Sequence, residues 1–141
     1  MRDALPIALH FLKFRPRTVF EVTKKLKSKK IPEVEIKKTI SVLKKNSLLD
    51  DKKFAKMYAR DRNLLKPSGS YLLKIELKRL GVSEINIEEA LKDQNEEELA
   101  RKALESKSRY RQADFQKQAA FLQRRGFPTS IIYRILNHNR D

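Results

Sequence analysis

Hydrophobic residues recur along this chain at the three- and four-residue spacing that gathers them on one face of an α-helix. In the first third of the chain, the pattern predicts helices from about Asp3 to Phe14, from just after Thr18, and from about Glu33 to Lys45. Pro16 favours the end of the first helix, because a proline disfavours helical backbone angles in the residue before it. No stretch alternates between apolar and polar residues with turn residues at both ends. The sequence therefore predicts an all-α protein with no sheet.

The helical pattern occurs three times. Leu26, Leu77 and Leu122 align, and the positions five, ten and fourteen residues further on are apolar in every copy. The copies lie 51 and 45 residues apart, a period typical of stacked helical repeats. We predict three tandem three-helix repeats, which share one continuous core or form an elongated array. The predicted repeats are residues 1–49, 50–95 and 96–141.

Each copy contains a turn between its second and third helices. The turn holds Gly81 in the second copy and Gly126 in the third, whereas the first copy has Lys30 at the same position. Helices commonly end at a residue with a left-handed backbone, which suits glycine. We expect this backbone at Lys30 as well, at a cost on the order of 1 kcal/mol for a residue with a side chain.

Several predicted helices are preceded by residues whose side chains accept hydrogen bonds from exposed helix amides. Thr18 and Glu21 form a capping box, in which each side chain bonds the backbone amide of the other residue. We interpret Asp50 and Asp51 as helix caps rather than as a metal-binding pair, and the acidic run Glu96 to Glu98 as a solvated first turn. The other predicted caps are Asp3, Ser70, Ser83 and Asp114.

The chain offers little of the chemistry that enzymes and metal sites require. It has no cysteine and only three scattered glycines, so a disulfide and a glycine-rich phosphate-binding loop are both excluded. His10 and His138 are far apart in sequence and show no metal-ligand spacing. No apolar run approaches the roughly 20 residues of a membrane span. We expect a cytoplasmic protein that is not an enzyme and has no cofactor or metal.

Positive charge is the strongest compositional signal. The chain has 33 basic and 18 acidic residues, for a net charge of +15. Such an excess indicates a polyanionic partner, with nucleic acid the leading candidate. The excess is uneven, because the three predicted repeats carry 13 bases and 4 acids, 10 and 8, and 10 and 6. The first repeat, at +9, is therefore the strongest electrostatic candidate.

Four motifs in chain order resemble those of a known family. They are Arg15-Pro16-Arg17-Thr18-Val19-Phe20-Glu21, Leu49-Asp50-Asp51-Lys52-Lys53-Phe54-Ala55, Glu76-Leu77-Lys78-Arg79-Leu80-Gly81-Val82 and Phe121-Leu122-Gln123-Arg124-Arg125-Gly126-Phe127. Each motif alone is only a helix start or stop, but together they resemble the bacterial RecX regulatory proteins over nearly the whole chain. Lys30 departs from the family pattern, which commonly has glycine there.

The resemblance implies a curved, elongated module of three tandem three-helix repeats. It also implies a modulator of the RecA recombinase, usually an inhibitor. Proteins of this family bind the groove of the RecA–DNA filament and hinder its ATPase, strand-exchange and coprotease activities. The implied setting is DNA recombination, repair and the SOS response. The implied partners are the RecA filament and single- or double-stranded DNA, bound directly or through the filament by a monomer.

The basic residues at or beside the repeated turns are the candidate contacts to the filament or to nucleic acid, because side chains there can leave the core. An alternative function is general DNA or RNA binding without a protein target, since each repeat resembles a helix-turn-helix unit. Against it, asparagine and glutamine are not clustered on one helix as base-reading residues are. The candidate contacts are Arg15, Arg17, Lys24, Lys25, Lys66, Lys74, Lys78, Arg79, Arg124 and Arg125.

Overall fold

A computed structural model describes residues 3–138, apart from the side chains of Ser108 and His138, and this range contains ten α-helices and no strand. The prediction of an all-α repeat protein is thus confirmed. Helices α1 to α3 lie in the first repeat, α4 to α6 in the second and α7 to α10 in the third. The helices are α1 (Ala4–Phe14), α2 (Val19–Ser28), α3 (Glu33–Lys45), α4 (Asp51–Leu65), α5 (Ser70–Arg79), α6 (Glu84–Leu91), α7 (Glu96–Ser106), α8 (Ser108–Arg111), α9 (Phe115–Arg124) and α10 (Thr129–His138).

Most of the predicted caps are confirmed. The Thr18 side chain accepts from the Glu21 amide, and Glu21 accepts from the Thr18 amide, each at 3.1 Å, which completes the capping box of α2. The side chains of Asp3, Asp50, Ser83 and Asp114 likewise accept from amides in the first turns of α1, α4, α6 and α9.

Two expectations at the second and third repeats are wrong. Gly69, not Ser70, is the N-cap of α5 and supplies no side-chain bond; Ser70 is the first helical residue. Glu96 is half-buried rather than solvated, and its carboxylate accepts a hydrogen bond from the Ser70 backbone amide at 3.0 Å. The basic stretch after α7 forms the four-residue helix α8, in addition to the three predicted helices of the third repeat.

Each repeat buries its own group of apolar side chains. The aligned leucines Leu26, Leu77 and Leu122 are all fully buried, one in each group. A compact protein of 16.6 kDa exposes about 7,600 Å², whereas this chain exposes 9531 Å². The large surface and the three separate groups indicate an array rather than one shared core.

A hydrogen bond from a backbone amide to a carboxylate joins each repeat to the next. At the first junction, the amide of Val19 at the start of α2 donates to the Asp51 carboxylate at the start of α4, at 3.0 Å. At the second junction, Ser70 at the start of α5 donates in the same way to Glu96 at the start of α7. The first-turn acid of each later repeat therefore satisfies an exposed amide in the repeat before it.

The turn after the second helix of each later repeat packs on the repeat before it. The turn of the second repeat contacts the N-terminus of α2, and the turn of the third repeat contacts the N-terminus of α5. The hydroxyl of Thr18, fully buried, donates to the Leu80 carbonyl in the second repeat's turn. In the third repeat's turn, the Arg125 carbonyl accepts from the amide of Gly69 at 2.7 Å, and the Gly126 carbonyl accepts from Tyr71 at 3.1 Å. Backbone polar groups that the turn would otherwise leave unpaired are thus bonded across the junction.

Glycine is required in these two turns for both space and conformation. A Cβ atom at Gly81 would lie 2.2 Å from the Cβ of Phe20, and one at Gly126 would lie 2.3 Å from the backbone nitrogen of Leu72. Both glycines also have positive φ, at +86° and +88°. Lys30 has a φ of 61°, which confirms the left-handed backbone predicted there. Its side chain is exposed, because no repeat in the described part of the chain packs on its turn.

We expect Lys30→Gly to stabilise the protein by about 1 kcal/mol, because glycine removes the strain of a left-handed backbone. At this chain length that gain raises the melting temperature by about 3 °C. Thermal unfolding followed by circular dichroism measures the change. A lower melting temperature than that of the wild type would contradict the expectation.

We expect Gly81→Ala to destabilise the protein by about 2–4 kcal/mol, because the strained backbone adds to a clash with Phe20. Lys30→Ala is the matched control, since its turn has the same backbone conformation and no repeat among the described residues packs on it. The control should change the free energy of unfolding in urea by less than about 0.5 kcal/mol. If Gly81→Ala cost only the roughly 1 kcal/mol of left-handed strain, the close approach of the repeats would contribute nothing.

Candidate functional site

The two candidate arginines before α2 are held by contacts within the first repeat. The exposed Arg15 forms a salt bridge with Glu21 and donates to the Pro16 carbonyl at 2.8 Å. Arg17 is half-buried, with its guanidinium 3.9 Å above the ring centre of Phe11. Glu21 therefore neutralises part of this positive charge, and Arg17 also has a packing role.

The candidate lysines of the first repeat lie on α2, beside an apolar groove. Lys24 is exposed and makes no salt bridge within residues 3–138. Lys25 is half-buried, with its ammonium 5.4 Å from the ring centre of Phe11. It lines a groove of about 790 Å³ together with Phe14 and Lys29.

A second groove, of about 510 Å³, lies at the junction of the first and second repeats and brings Arg15 close to Arg79. Its lining includes an internal network, in which Glu76 accepts from the Tyr58 hydroxyl at 2.7 Å and from Arg62 at 3.0 Å. Burial and the Glu76 carboxylate raise the pKa of Tyr58 to about 12. This groove thus carries both signs of charge.

Lys74 and Lys78 are partly neutralised by one carboxylate. Their ammonium nitrogens lie 3.7 and 3.5 Å from the same Glu84 oxygen. Arg79, by contrast, is exposed and makes no salt bridge within the described residues. Of the candidates on α5, Arg79 is therefore the one whose charge is most available to a partner.

The third site is a pocket of about 380 Å³ at the junction of the second and third repeats. It brings together three candidate contacts, Lys66, Arg124 and Arg125, with three other basic residues. No carboxylate among the described residues lines it. Its lining residues are Arg62, Lys66, Leu72, Lys107, Arg109, Tyr110, Phe121, Arg124 and Arg125.

Arg125 is buried, with only 6% of its surface exposed, although the sequence suggested that its side chain leaves the core. Its guanidinium donates to the Pro67 carbonyl at 2.6 Å and lies 4.9 Å from the ring centre of Phe121. No carboxylate forms a salt bridge with Arg125 within residues 3–138. Burial, and then the positive charge of Arg62, lower the pKa of Arg125.

Sequence reasoning missed three residues of this pocket. Arg62 follows the helical spacing of the apolar residues on α4, so its position in the sequence does not mark it as a surface contact. Lys107 and Arg109 lie in a polar, basic stretch in which apolar residues do not follow a helical spacing. The run of bases at every second residue from Lys107 to Arg111 is the signal that points to this surface.

Within the described residues, no group of histidine and carboxylate side chains is arranged to hold a metal ion. No helix in this part of the chain is long and apolar enough to cross a membrane. His10 is exposed, and the side chain of His138 lies outside the described residues.

Three family models match the chain in order. They describe the first three-helix domain of RecX at residues 4–43, the second at residues 50–91 and the third at residues 95–136. Each match begins near the start of one of the three repeats seen in the structure, and together they cover most of the chain.

Individual RecX proteins are similar to the chain over almost its whole length. The regulatory protein RecX of Thermotoga maritima is 39% identical over 141 residues, which is 96% of this chain and 84% of that protein. That of Chlorobium phaeobacteroides is 33% identical over 96% of this chain and 93% of the relative. Other relatives are longer, and the chain spans only 52% of the RecX of Geobacillus sp., to which it is 34% identical.

The fold is also similar to that of solved structures. The crystal structure of RecX from Lactobacillus salivarius superposes with a TM-score of 0.86 at 27% identity, over 96% of this chain and 93% of that one. The sequence motifs, the three domain matches and the superposition agree. The chain belongs to the RecX family of regulatory proteins.

Proposed function

We propose that this protein is a modulator, in the inhibitory sense, of the RecA recombinase, and that it binds the RecA–DNA filament in its groove. The proposal rests on membership of a family of regulatory proteins and on the function that the sequence resemblance implies. The observation that carries it is the group of basic residues at the junction of the second and third repeats, where no carboxylate of the described residues lines the pocket. The protein acts in the cytoplasm as a monomer, without catalytic groups of its own.

An array of repeats suits a filament as its target. The protomers of a filament recur at fixed spacing, and an array offers a longer contact surface than a compact domain of equal mass. The net charge of +15 attracts the array to the polyanionic nucleoprotein and raises the rate of encounter. These features favour a ligand that spans several protomers.

The proposed mechanism is mechanical. The bound array contacts neighbouring RecA protomers and opposes the rearrangement that accompanies ATP turnover and filament growth. The junction glycines support this role, because they hold successive repeats too close to accept even one added carbon atom. ATP hydrolysis, strand exchange and coprotease activity then fall together, since all three depend on the same filament.

We expect the purified protein to inhibit single-stranded-DNA-dependent ATP hydrolysis by RecA from the same organism. A titration at moderate salt should give inhibition at amounts well below those that saturate the DNA. The charge-reversed variant Lys24→Glu/Lys25→Glu should need a higher concentration for the same effect, because it repels the nucleoprotein. Unchanged ATPase activity at saturating protein would refute the proposed function.

The same titration tests general nucleic-acid binding, the alternative function. Inhibition that appears only when the DNA is saturated would mean that the protein competes with RecA for DNA. Binding to free DNA should also show a steep salt dependence, whereas filament binding should keep a component that requires RecA.

Loss of charge in the first repeat should weaken filament binding more than an equal loss in the second. The matched variants are Lys24→Ala/Lys25→Ala and Lys74→Ala/Lys78→Ala, which each remove two positive charges. The second pair matters less, because Glu84 already offsets part of its charge. Affinity for RecA filaments measured by fluorescence anisotropy gives the comparison, and equal losses from both variants would contradict it.

A further inference from the structure

The first helix of the chain is apolar on nearly all sides. Lys13 is the one charged residue among the 11 of α1, whereas α7, which also has 11 residues, carries six charges. Ala4 and Ala8 are the only buried residues of α1, and Phe14 is 68% exposed. A helix that is apolar all round is normally buried in its protein. The exposed part of α1 therefore indicates a surface that a partner covers.

This exposed surface of α1 forms a wall of the groove of about 790 Å³ beside α2. Its residues in the lining recur every three or four positions, so they lie on one face of the helix. Between Asp3 and Phe14 the groove follows α1 for about three turns, or roughly 16 Å. Lys25 and Lys29, one helical turn apart on α2, line it as well. A groove of this length and shape fits one α-helix laid along it. The α1 residues in the lining are Pro6, Ile7, His10, Phe11 and Phe14.

The charges along the groove set the sign of the partner. Neither Lys25 nor Lys29 makes a salt bridge within residues 3–138. The ring of Phe11 holds two cations near the groove, with the Lys25 ammonium at 5.4 Å and the Arg17 guanidinium at 3.9 Å from its centre. Asp3 is the one carboxylate of the described residues in the lining, and it already caps α1. Acidic side chains on a partner therefore complement this groove.

We propose that the groove between α1 and α2 binds an amphipathic, acidic α-helix of a protein partner. Apolar side chains of that helix, three, four and seven positions apart, fill the groove along α1. Aspartate or glutamate side chains beside them pair with Lys25 and Lys29. The groove lies within the first repeat and apart from both repeat junctions. The inference goes beyond the proposed function, because the binding needs neither RecA nor nucleic acid.

Charge and shape disfavour two other occupants of an exposed apolar surface. A second copy of this chain would bring another net charge of +15 towards the same lysines, and like charges oppose association. A lipid bilayer presents a flat surface, which reaches the exposed Phe14 but not Ile7 and Phe11, because these two are half-buried in the groove. An inserted helix reaches all three side chains.

The first experiment measures the affinity of the full chain for a labelled designed helix by fluorescence anisotropy at moderate salt. The helix carries leucine on one face and glutamate on the other. A second peptide has lysine in place of every glutamate. The acidic peptide should bind about tenfold more tightly than the basic one, because only its charges complement the groove. Equal affinities would mean that the apolar face alone adheres to the protein, and would overturn the proposal.

Two pairs of variants test whether the acidic peptide binds in the groove. Phe14→Ser should weaken its binding about tenfold, because an apolar contact is lost, whereas Ile85→Ser, at an isoleucine of α6 that is 78% exposed, should not. Lys29→Glu should weaken binding about fivefold, whereas Lys38→Glu, on the exposed face of α3, should change it by less than about twofold, because salt screens a distant charge. Phe14 and Lys29 are exposed, so their variants should keep the wild-type melting temperature. Equal losses within either pair would overturn the proposal.

The second experiment locates the bound peptide by nuclear magnetic resonance of the backbone amides. The acidic peptide should shift the amide signals of α1 and of the end of α2, and should leave those of the third repeat unchanged. Shifts confined to the second and third repeats would contradict the proposal.

The third experiment tests the other occupants against the acidic peptide. Phosphatidylglycerol vesicles and an oligothymidine, each at equal concentration of negative charge, should leave the peptide bound, and the protein alone should sediment as a monomer. Displacement of the peptide by either competitor, or a dimer that Phe14→Ser abolishes, would overturn the proposal. RecA takes no part in these measurements, so their failure leaves inhibition of its ATPase standing, and unchanged RecA ATPase would leave the peptide result intact.

Discussion

The architecture depends on how each repeat packs on the one before it. The N-terminus of α2 contacts the second repeat, and the N-terminus of α5 contacts the third repeat in the same way. At both junctions a first-turn carboxylate, from Asp51 or Glu96, accepts a backbone amide of that helix. Burial raises the pKa of both carboxyl groups, and the amide bonds oppose the shift only in part. The same junctions also contain the close packing of Gly81 on Phe20 and of Gly126 on Leu72. The junction is held by shape and backbone hydrogen bonds more than by charge.

Much of the fold within each repeat could be predicted from the sequence, because helix patterns and caps depend on residues close together in the chain. The capping box of Thr18 and Glu21 spans three positions, and the left-handed backbone at Lys30 follows from its alignment with two glycines. The junctions could not be predicted in the same way. Ser70 bonds Glu96 across 26 positions, and nothing local to Glu96 distinguishes it from an exposed acid in a first turn. Lys30 is the converse case. Its turn has the left-handed backbone that glycine favours, but a lysine side chain fits there because the turn is exposed.

The candidate site illustrates how one repeat position acquires different chemistry along the array. Lys29, Leu80 and Arg125 occupy equivalent places beside the turn, and they are exposed, half-buried and buried in that order. In the sequence, Arg124 and Arg125 are an undistinguished basic pair. The structure separates them, since one side chain is exposed and the other bonds a carbonyl 58 positions earlier. Their different environments arise from the packing of the third repeat on the second, which no local sequence pattern encodes.

Net charge and available charge also point to different parts of the molecule. The first repeat has the largest net charge, and such a surface acts at long range on the rate of encounter. Short-range recognition depends instead on cations that no internal acid neutralises. In the second repeat Glu84 offsets Lys74 and Lys78, whereas no acid within residues 3–138 lines the pocket around Arg125. A sum of charges over each repeat therefore describes the long-range attraction, whereas the pairing of individual side chains shows which basic residues remain available to a partner.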